Sequence, residues 1–280
     1  MNMKIFFLLF FIPQIVFAFT LNNNFSAAFD KSKVNVFIDR NTTCALAGIT
    51  VYDLEDVIKK GIGKFWNIVP TSNLRLKFGG FSDTVSNINS VTGRLCAPTD
   101  DDCIKAAGAN VIPPVNEIIV ACNANQTNFV DSNVLAVTVP NHFSGKKIRG
   151  AVILINNFSN DFAQLSHDGK VAVLAHEIGH ALGLGHSENK SALMYYRTVA
   201  ERKKLGQDDI DGVSYLYPVH IDGCGAFGSV FGGTVAMNHK NKDDDDDTNF
   251  PFWPMVISLF AMIGIFEAAK ILKKSRPLAF

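Results

Sequence analysis

The apolar positions of this chain change period along its length and lay out alternating strands and helices. Lys33 to Arg40 (KVNVFIDR) alternates apolar and polar residues, so Val34, Val36 and Ile38 share one face of a predicted strand. From Asp53 to about Trp66 the residues Val57, Ile58, Ile62, Phe65 and Trp66 recur at helical spacing, with Asp53 placed as N-cap and Pro70 just past the end. Short β-branched and apolar runs predict four more strands, at Leu74 to Phe78, Glu117 to Cys122, Val134 to Val139 and Ile148 to Ile155. The Ser, Asn, Thr and Asp-rich stretch from Phe81 to Asn110 reads as a long loop. Helical period returns from Gly169 to about Leu182, where Val171, Leu174, Ile178 and Leu182 form the stripe and Asp168 is the expected N-cap. A last helix is predicted from Gln207 to Leu216, closing on Tyr217 and Pro218, so the ordered domain is expected to span 33–218.

Composition adds limits to this picture. With 280 residues, 48% of them hydrophobic, there is material for one good-sized core. Lys+Arg and Asp+Glu both number 26, so no global field draws the chain to nucleic acid, and no local basic patch suggests it. A monomer is expected. At the start, Lys4 precedes an apolar run from Ile5 through Val16 that ends at the small Ala18, the pattern of an export signal over residues 1–18 with the mature chain beginning at Phe19. The five cysteines would then meet an oxidising compartment. Cys44, Cys96, Cys103 and Cys122 fall in the domain and can pair in three ways, of which Cys96 with Cys103 closes most easily; Cys224 is left over.

Beyond the domain, 219–249 is a linker rich in Gly, Asn and Asp, including the run Asp243 to Asp247. That unbroken run lacks the spacing of a folded calcium loop, so calcium has no supporting motif. In 250–280 an apolar segment, Phe250 to Phe266, precedes Lys270, Lys273, Lys274 and Arg276, which reads as a C-terminal membrane helix with a basic cytoplasmic end. The same order, with Cys224 between glycines, is similar to a bacterial C-terminal sorting signal. The chain is thus expected outside the cytoplasm, either anchored or released after processing.

The chemistry lies on the helix predicted from Gly169 to about Leu182. His176, Glu177, Ile178, Gly179 and His180 make H-E-x-x-H, and residues four apart share a helix face, so both imidazoles can reach one ion while Glu177 stands beside the open coordination position. Imidazole donors with one open corner suit a single Zn²⁺. The sequence continues to HEIGHALGLGH, and Gly183 can adopt the positive-φ backbone that ends the helix and brings His186 back as third ligand. Metal ligands are therefore expected at His176, His180 and His186, with Glu177 as general base.

HEIGHALGLGHS, then SALMYY at Ser191 to Tyr196, then LGQDDIDGVSYLYP at Leu205 to Pro218, resemble the matrixin branch of the metzincin zinc peptidases. That resemblance implies an α+β zincin-like fold: a twisted, mostly parallel five-stranded sheet with three helices, the active-site helix being followed by a tight methionine turn. It implies that Met194 forms that turn beneath the zinc, that Asp208 and Asp209 brace the last helix against the site floor, and that Val134 to Val139 is the edge strand along which a protein or peptide substrate lies extended. Where the family has proline, this chain has Tyr196, placed to touch the zinc or to pack in the pocket wall. No cysteine-switch motif is present, and the stretch from Phe19 to Lys33 is too short for an inhibitory prodomain, so latency is expected to come from elsewhere or to be absent. The family's second, structural zinc is not expected, and His142 and His167 read as surface residues. The competing function is a surface module that keeps fold and zinc but has lost turnover.

Overall fold

The computed structural model describes residues 19–219 apart from 24–25, 84–93, 98–99, 107, 109, 113–114, 124, 130, 132, 145 and 198. The export signal, the linker with its aspartates, Cys224 and the apolar C-terminal segment lie outside the described residues. Among the described residues no helix is long and apolar enough to cross a membrane.

Eight strands and five α-helical segments follow one another as β1 (Ala28–Phe29), β2 (Lys33–Asp39), α1 (Val51–Lys64), β3 (Arg75–Ser82), β4 (Leu95–Cys96), α2 (Asp101–Ile104), β5 (Asn110–Val111), β6 (Ile118–Asn123), β7 (Ala136–Ser144), β8 (Lys147–Asn156), α3 (Asn160–Gln164), α4 (His167–Ala181) and α5 (Gln207–Leu216). The main sheet has six strands, ordered β1-β8-β6-β2-β3, with β7 on β8. All pairings in it are parallel except β7 with β8. The five expected strands are thus present with a two-residue sixth, and the three expected helices are α1, α4 and α5, joined by the short α2 and α3.

A parallel sheet needs cover on both faces, and strand alternation supplies two apolar layers. Ile118, Val120 and Cys122 of β6 and Ala151, Ile153 and Ile155 of β8 join α1 and α4 in the main core. The intervening Ile119, Ala121, Val152 and Leu154 face the other way and meet Leu95, Ile112, Val115 and Phe129. The stretch expected to be one long loop is therefore partly structured: it contributes β4, α2 and the start of β5, and its Leu95 helps cover the outer face.

Both long helices begin two residues earlier than expected, and for the same reason. In α1 the cap is Thr50, whose hydroxyl accepts from the Asp53 amide at 3.1 Å while the Asp53 carboxylate accepts from the Thr50 amide, a capping box with Asp53 inside the first turn. In α4 the Ser166 hydroxyl accepts from the Gly169 amide at 3.1 Å, and Asp168 likewise falls inside the first turn, where a negative charge complements the helix dipole. Helix α4 is buried along nearly its whole length, packed between the sheet and α1. Trp66 ties the two helices together, its indole N–H donating to the Ala175 carbonyl at 2.8 Å.

The disulfides are Cys96–Cys103, as the short spacing favoured, and Cys44–Cys122, which joins the turn after β2 to the end of β6. The latter spans 78 residues of sequence, a separation for which loop-closure entropy gives about 4–5 kcal/mol of stabilisation.

Residues ahead of Lys33 also pack on the domain. Leu21 bridges Leu184 in antiparallel fashion, and β1 pairs with the start of β8. Tyr217 fastens this segment from below: its hydroxyl donates to the Leu182 carbonyl at 2.9 Å and accepts from the Phe29 amide at 3.1 Å. Burial holds the pKa of that phenol well above its ordinary value, so it stays a donor.

Candidate metal centre and substrate cleft

His176 and His180 lie one turn apart on the last turns of α4, and the helix ends where the sequence expects. Gly183 has φ +110°, and a Cβ there would sit 2.5 Å from the Ala27 carbonyl oxygen, so both the backbone angle and the space call for glycine. The turn returns His186 to the helix face. The Nε2 atoms of His176 and His180 are 3.1 Å apart, and those of His180 and His186 3.2 Å apart.

The other ring nitrogens fix the protonation pattern. His176 Nδ1 lies 2.8 Å from the Leu193 carbonyl and His180 Nδ1 lies 2.8 Å from the Leu184 carbonyl. A carbonyl only accepts, so both Nδ1 atoms carry the proton and both Nε2 atoms present lone pairs. Lone pairs aimed at one another across about 3 Å repel unless a cation lies between them. Four tetrahedral ligands about 2.05 Å from zinc stand about 3.3 Å apart, close to the spacing seen. The three histidines are placed to hold one metal ion, and the donor set fits zinc. Burial lowers the pKa of all three: His176 is held well below its ordinary value, and His180 and His186 are lowered too, His186 also by the neighbouring His180.

Glu177, beside the first histidine, is 7% exposed and faces the same cleft. Burial pushes its carboxyl up to about 7, against the opposing effect of the Thr138 hydroxyl, which donates to Oε2 at 2.6 Å. Thr138 lies on β7, and nothing in the sequence reading singled it out.

Met194 forms the floor. Its sulfur fits under α4 because residue 179 is glycine: a Cβ on Gly179 would meet Met194 Sδ at 2.4 Å and Trp66 Cζ2 at 2.8 Å. The turn is held by Asp209, whose carboxylate accepts from the amides of Leu193 at 2.6 Å, Met194 at 2.9 Å and Gly206 at 2.7 Å. Asp208 accepts from the Ser187 hydroxyl just after the third histidine, and the Ser187 amide donates to the Met194 carbonyl at 2.8 Å. The two aspartates thus connect α5 to both segments that carry the site. A further support was not read from sequence: the Thr20 hydroxyl donates to the His186 carbonyl, and the Asn22 side-chain Nδ2 donates to that of His180 at 2.5 Å.

The cleft has a volume of about 1030 Å³ and runs between β7 and the segment after Met194, with the histidines at its base. Leu135, Ala136, Val173, Tyr196 and Val199 give it apolar walls. Tyr196 is 52% exposed, with its ring centroid 6.1 Å from that of His186 and the Arg197 guanidinium 5.0 Å above its ring. It forms cleft wall beside the third histidine. His167 is a surface residue, as expected, paired with Asp56 at 2.7 Å. Among the described residues no second histidine and carboxylate cluster could hold a metal.

Residues 130–218 match the matrixin family. The chain is similar to rat stromelysin-2, 51% identical over 49 residues that cover 16% of this chain and 10% of that protein. The metalloendoproteinase 2-MMP of Arabidopsis thaliana is 35% identical over 81 residues, covering 28% of this chain and 19% of the relative. Metalloendoproteinase 1 of Glycine max is 49% identical over 51 residues, covering 18% and 17%. The matched stretches span less than a fifth of the length of each of these relatives.

Proposed function

We propose that this chain is a zinc endopeptidase cleaving proteins or peptides outside the cytoplasm, with His176, His180 and His186 as metal ligands and Glu177 as general base. The observation that carries it is the convergence of three imidazole Nε2 atoms beside a buried carboxylate at the base of a long cleft. Two disulfides support an oxidising location. We place the catalytic domain at 33–218, strapped by Phe19 to Phe29; export and C-terminal anchorage rest on the terminal sequence patterns alone.

Zinc in the triad supplies Lewis acidity toward a water and toward the scissile carbonyl. The protein does the rest. Among the described residues β7 pairs only with β8, so its other edge can hold an extended peptide by main-chain hydrogen bonds, with one side chain entering the apolar part of the cleft beside Val173 and Val199. Glu177 takes a proton from the attacking water and returns it to the leaving nitrogen. The buried floor keeps the ligand rings fixed through both transfers.

The test is incubation of the full chain with a peptide library, with and without a zinc chelator, beside Glu177→Gln. One zinc per chain, chelator-sensitive cleavage, and a variant that keeps its zinc while losing roughly 10²–10⁴-fold in turnover are expected. Turnover by Glu177→Gln within tenfold of wild type would remove Glu177 as the base.

A further inference from the structure

Edge strand β7 alternates its faces. Val137 and Val139 pack toward the outer apolar cluster, while Ala136 joins the core on the helix side. Thr138 shares Ala136's face by this alternation, and that face meets α4. A hydroxyl at such a position needs a partner, and it has two acceptors within reach: Glu177 Oε2 at 2.6 Å and the Glu177 main-chain carbonyl at 3.0 Å. The hydroxyl has a single proton, and the shorter contact to the carboxylate takes it.

We infer that Thr138 is a positioning residue for the general base: by holding Oε2 from the substrate-binding strand, it leaves Oε1 as the oxygen that exchanges the proton. This inference rests on the peptidase reading and deepens it. A glutamate side chain on a helix has three rotatable bonds, and a base must be held to a fraction of an ångström for its proton transfer to be efficient. Because Thr138 lies on the strand that would pair with the peptide, and is held in register by Ile153 of β8, the position of the base and the position of the scissile bond are set by one element. A valine has nearly the same shape and would keep the packing while removing the donor.

The experiment compares wild type, Thr138→Val, Thr138→Ser and Glu177→Gln as full-length, zinc-loaded proteins on a peptide that the wild type cleaves. Thr138→Val is expected to lower kcat by roughly ten- to a hundredfold, the loss expected for a hydrogen bond to a charged group, with KM changed less than twofold. Thr138→Ser, which keeps the donor, should return kcat to within about threefold of wild type. A second readout is independent of turnover: in the metal-free protein, a double-mutant cycle of Thr138→Val with Glu177→Gln in urea unfolding should show coupling between the two sites. Unchanged kcat in Thr138→Val, a Thr138→Ser enzyme as slow as Thr138→Val, or zero coupling would overturn the assignment. A wild type that binds zinc but cleaves nothing would instead overturn the peptidase reading, and the cycle would still report whether the two side chains touch.

Discussion

Replacing Asp209 probes the methionine turn, which reaches the histidines through the Leu193 carbonyl. Its carboxylate accepts three amide protons, from Leu193, Met194 and Gly206, and the residue is 2% exposed. Asp209→Ala leaves three buried donors without partners, each costing about 1–3 kcal/mol, from which relaxation and entering water subtract; a loss of about 3–5 kcal/mol is expected. The charge itself is not what stabilises the turn. Burial raises the Asp209 carboxyl above its ordinary value despite the three amides, so ionisation is less favourable in the folded protein than in the unfolded chain. A raised carboxyl contributes a gain in stability as pH falls through its folded value, and a cost above it. Asp209→Asn, neutral and nearly the same shape, should therefore cost about 1–2 kcal/mol, from the one carboxylate oxygen that becomes a donor. Urea unfolding of the metal-free proteins measures both losses, and competition with a chromophoric chelator measures zinc affinity, which should weaken with stability in Asp209→Ala because Leu193 holds the His176 ring. If Asp209→Ala loses less than Asp209→Asn, or unfolds like wild type, the carboxylate is not what holds the methionine turn.

Two further outcomes follow from the same geometry. Gly183→Ala places a β-carbon on a backbone with φ +110° and against the Ala27 carbonyl, so it should cost about 2–4 kcal/mol and loosen zinc by displacing His186, read by unfolding and by chelator competition; a variant with wild-type zinc affinity would show that the turn tolerates other backbones. In the metal-free protein the three ligand histidines have lowered folded values, so the unfolded chain binds more protons as pH falls through about 6.5. Stability contributed by the neutral rings is present above that pH and is lost below it, so the melting temperature of the metal-free form should drop between pH 7.5 and 5.5, and a variant with all three histidines replaced by alanine should show a shallower drop.

The parts of this protein legible in its sequence are those in which one short segment contains both the chemistry and its geometry. His176, His180, Gly183 and His186 lie within eleven residues, and helical periodicity with one glycine places their ring nitrogens together. The five strands were read within two residues at their starts, and two of their ends were missed: β3 continues through Gly79 and Gly80 to Ser82, and β7 runs on past Pro140, which an edge strand tolerates because its missing N–H disrupts pairing least there. The helix starts were displaced because a hydroxyl three residues ahead of a first-turn partner competes with aspartate for the cap, and only the folded backbone shows which side chain reaches the free amides. Thr138 was illegible for a deeper reason. Alternation says that it faces the same way as Ala136, yet whether that face meets solvent, a core or the Glu177 carboxylate depends on α4, which follows it by some thirty residues and packs there only through tertiary structure. The strap from Phe19 to Phe29 has no periodicity at all, since it is held by single bridges and side-chain bonds to the carbonyls of His180 and His186. A motif can therefore name the ligands of a metal centre from sequence, but the residues that hold those ligands still come from segments whose own pattern gives no sign of it.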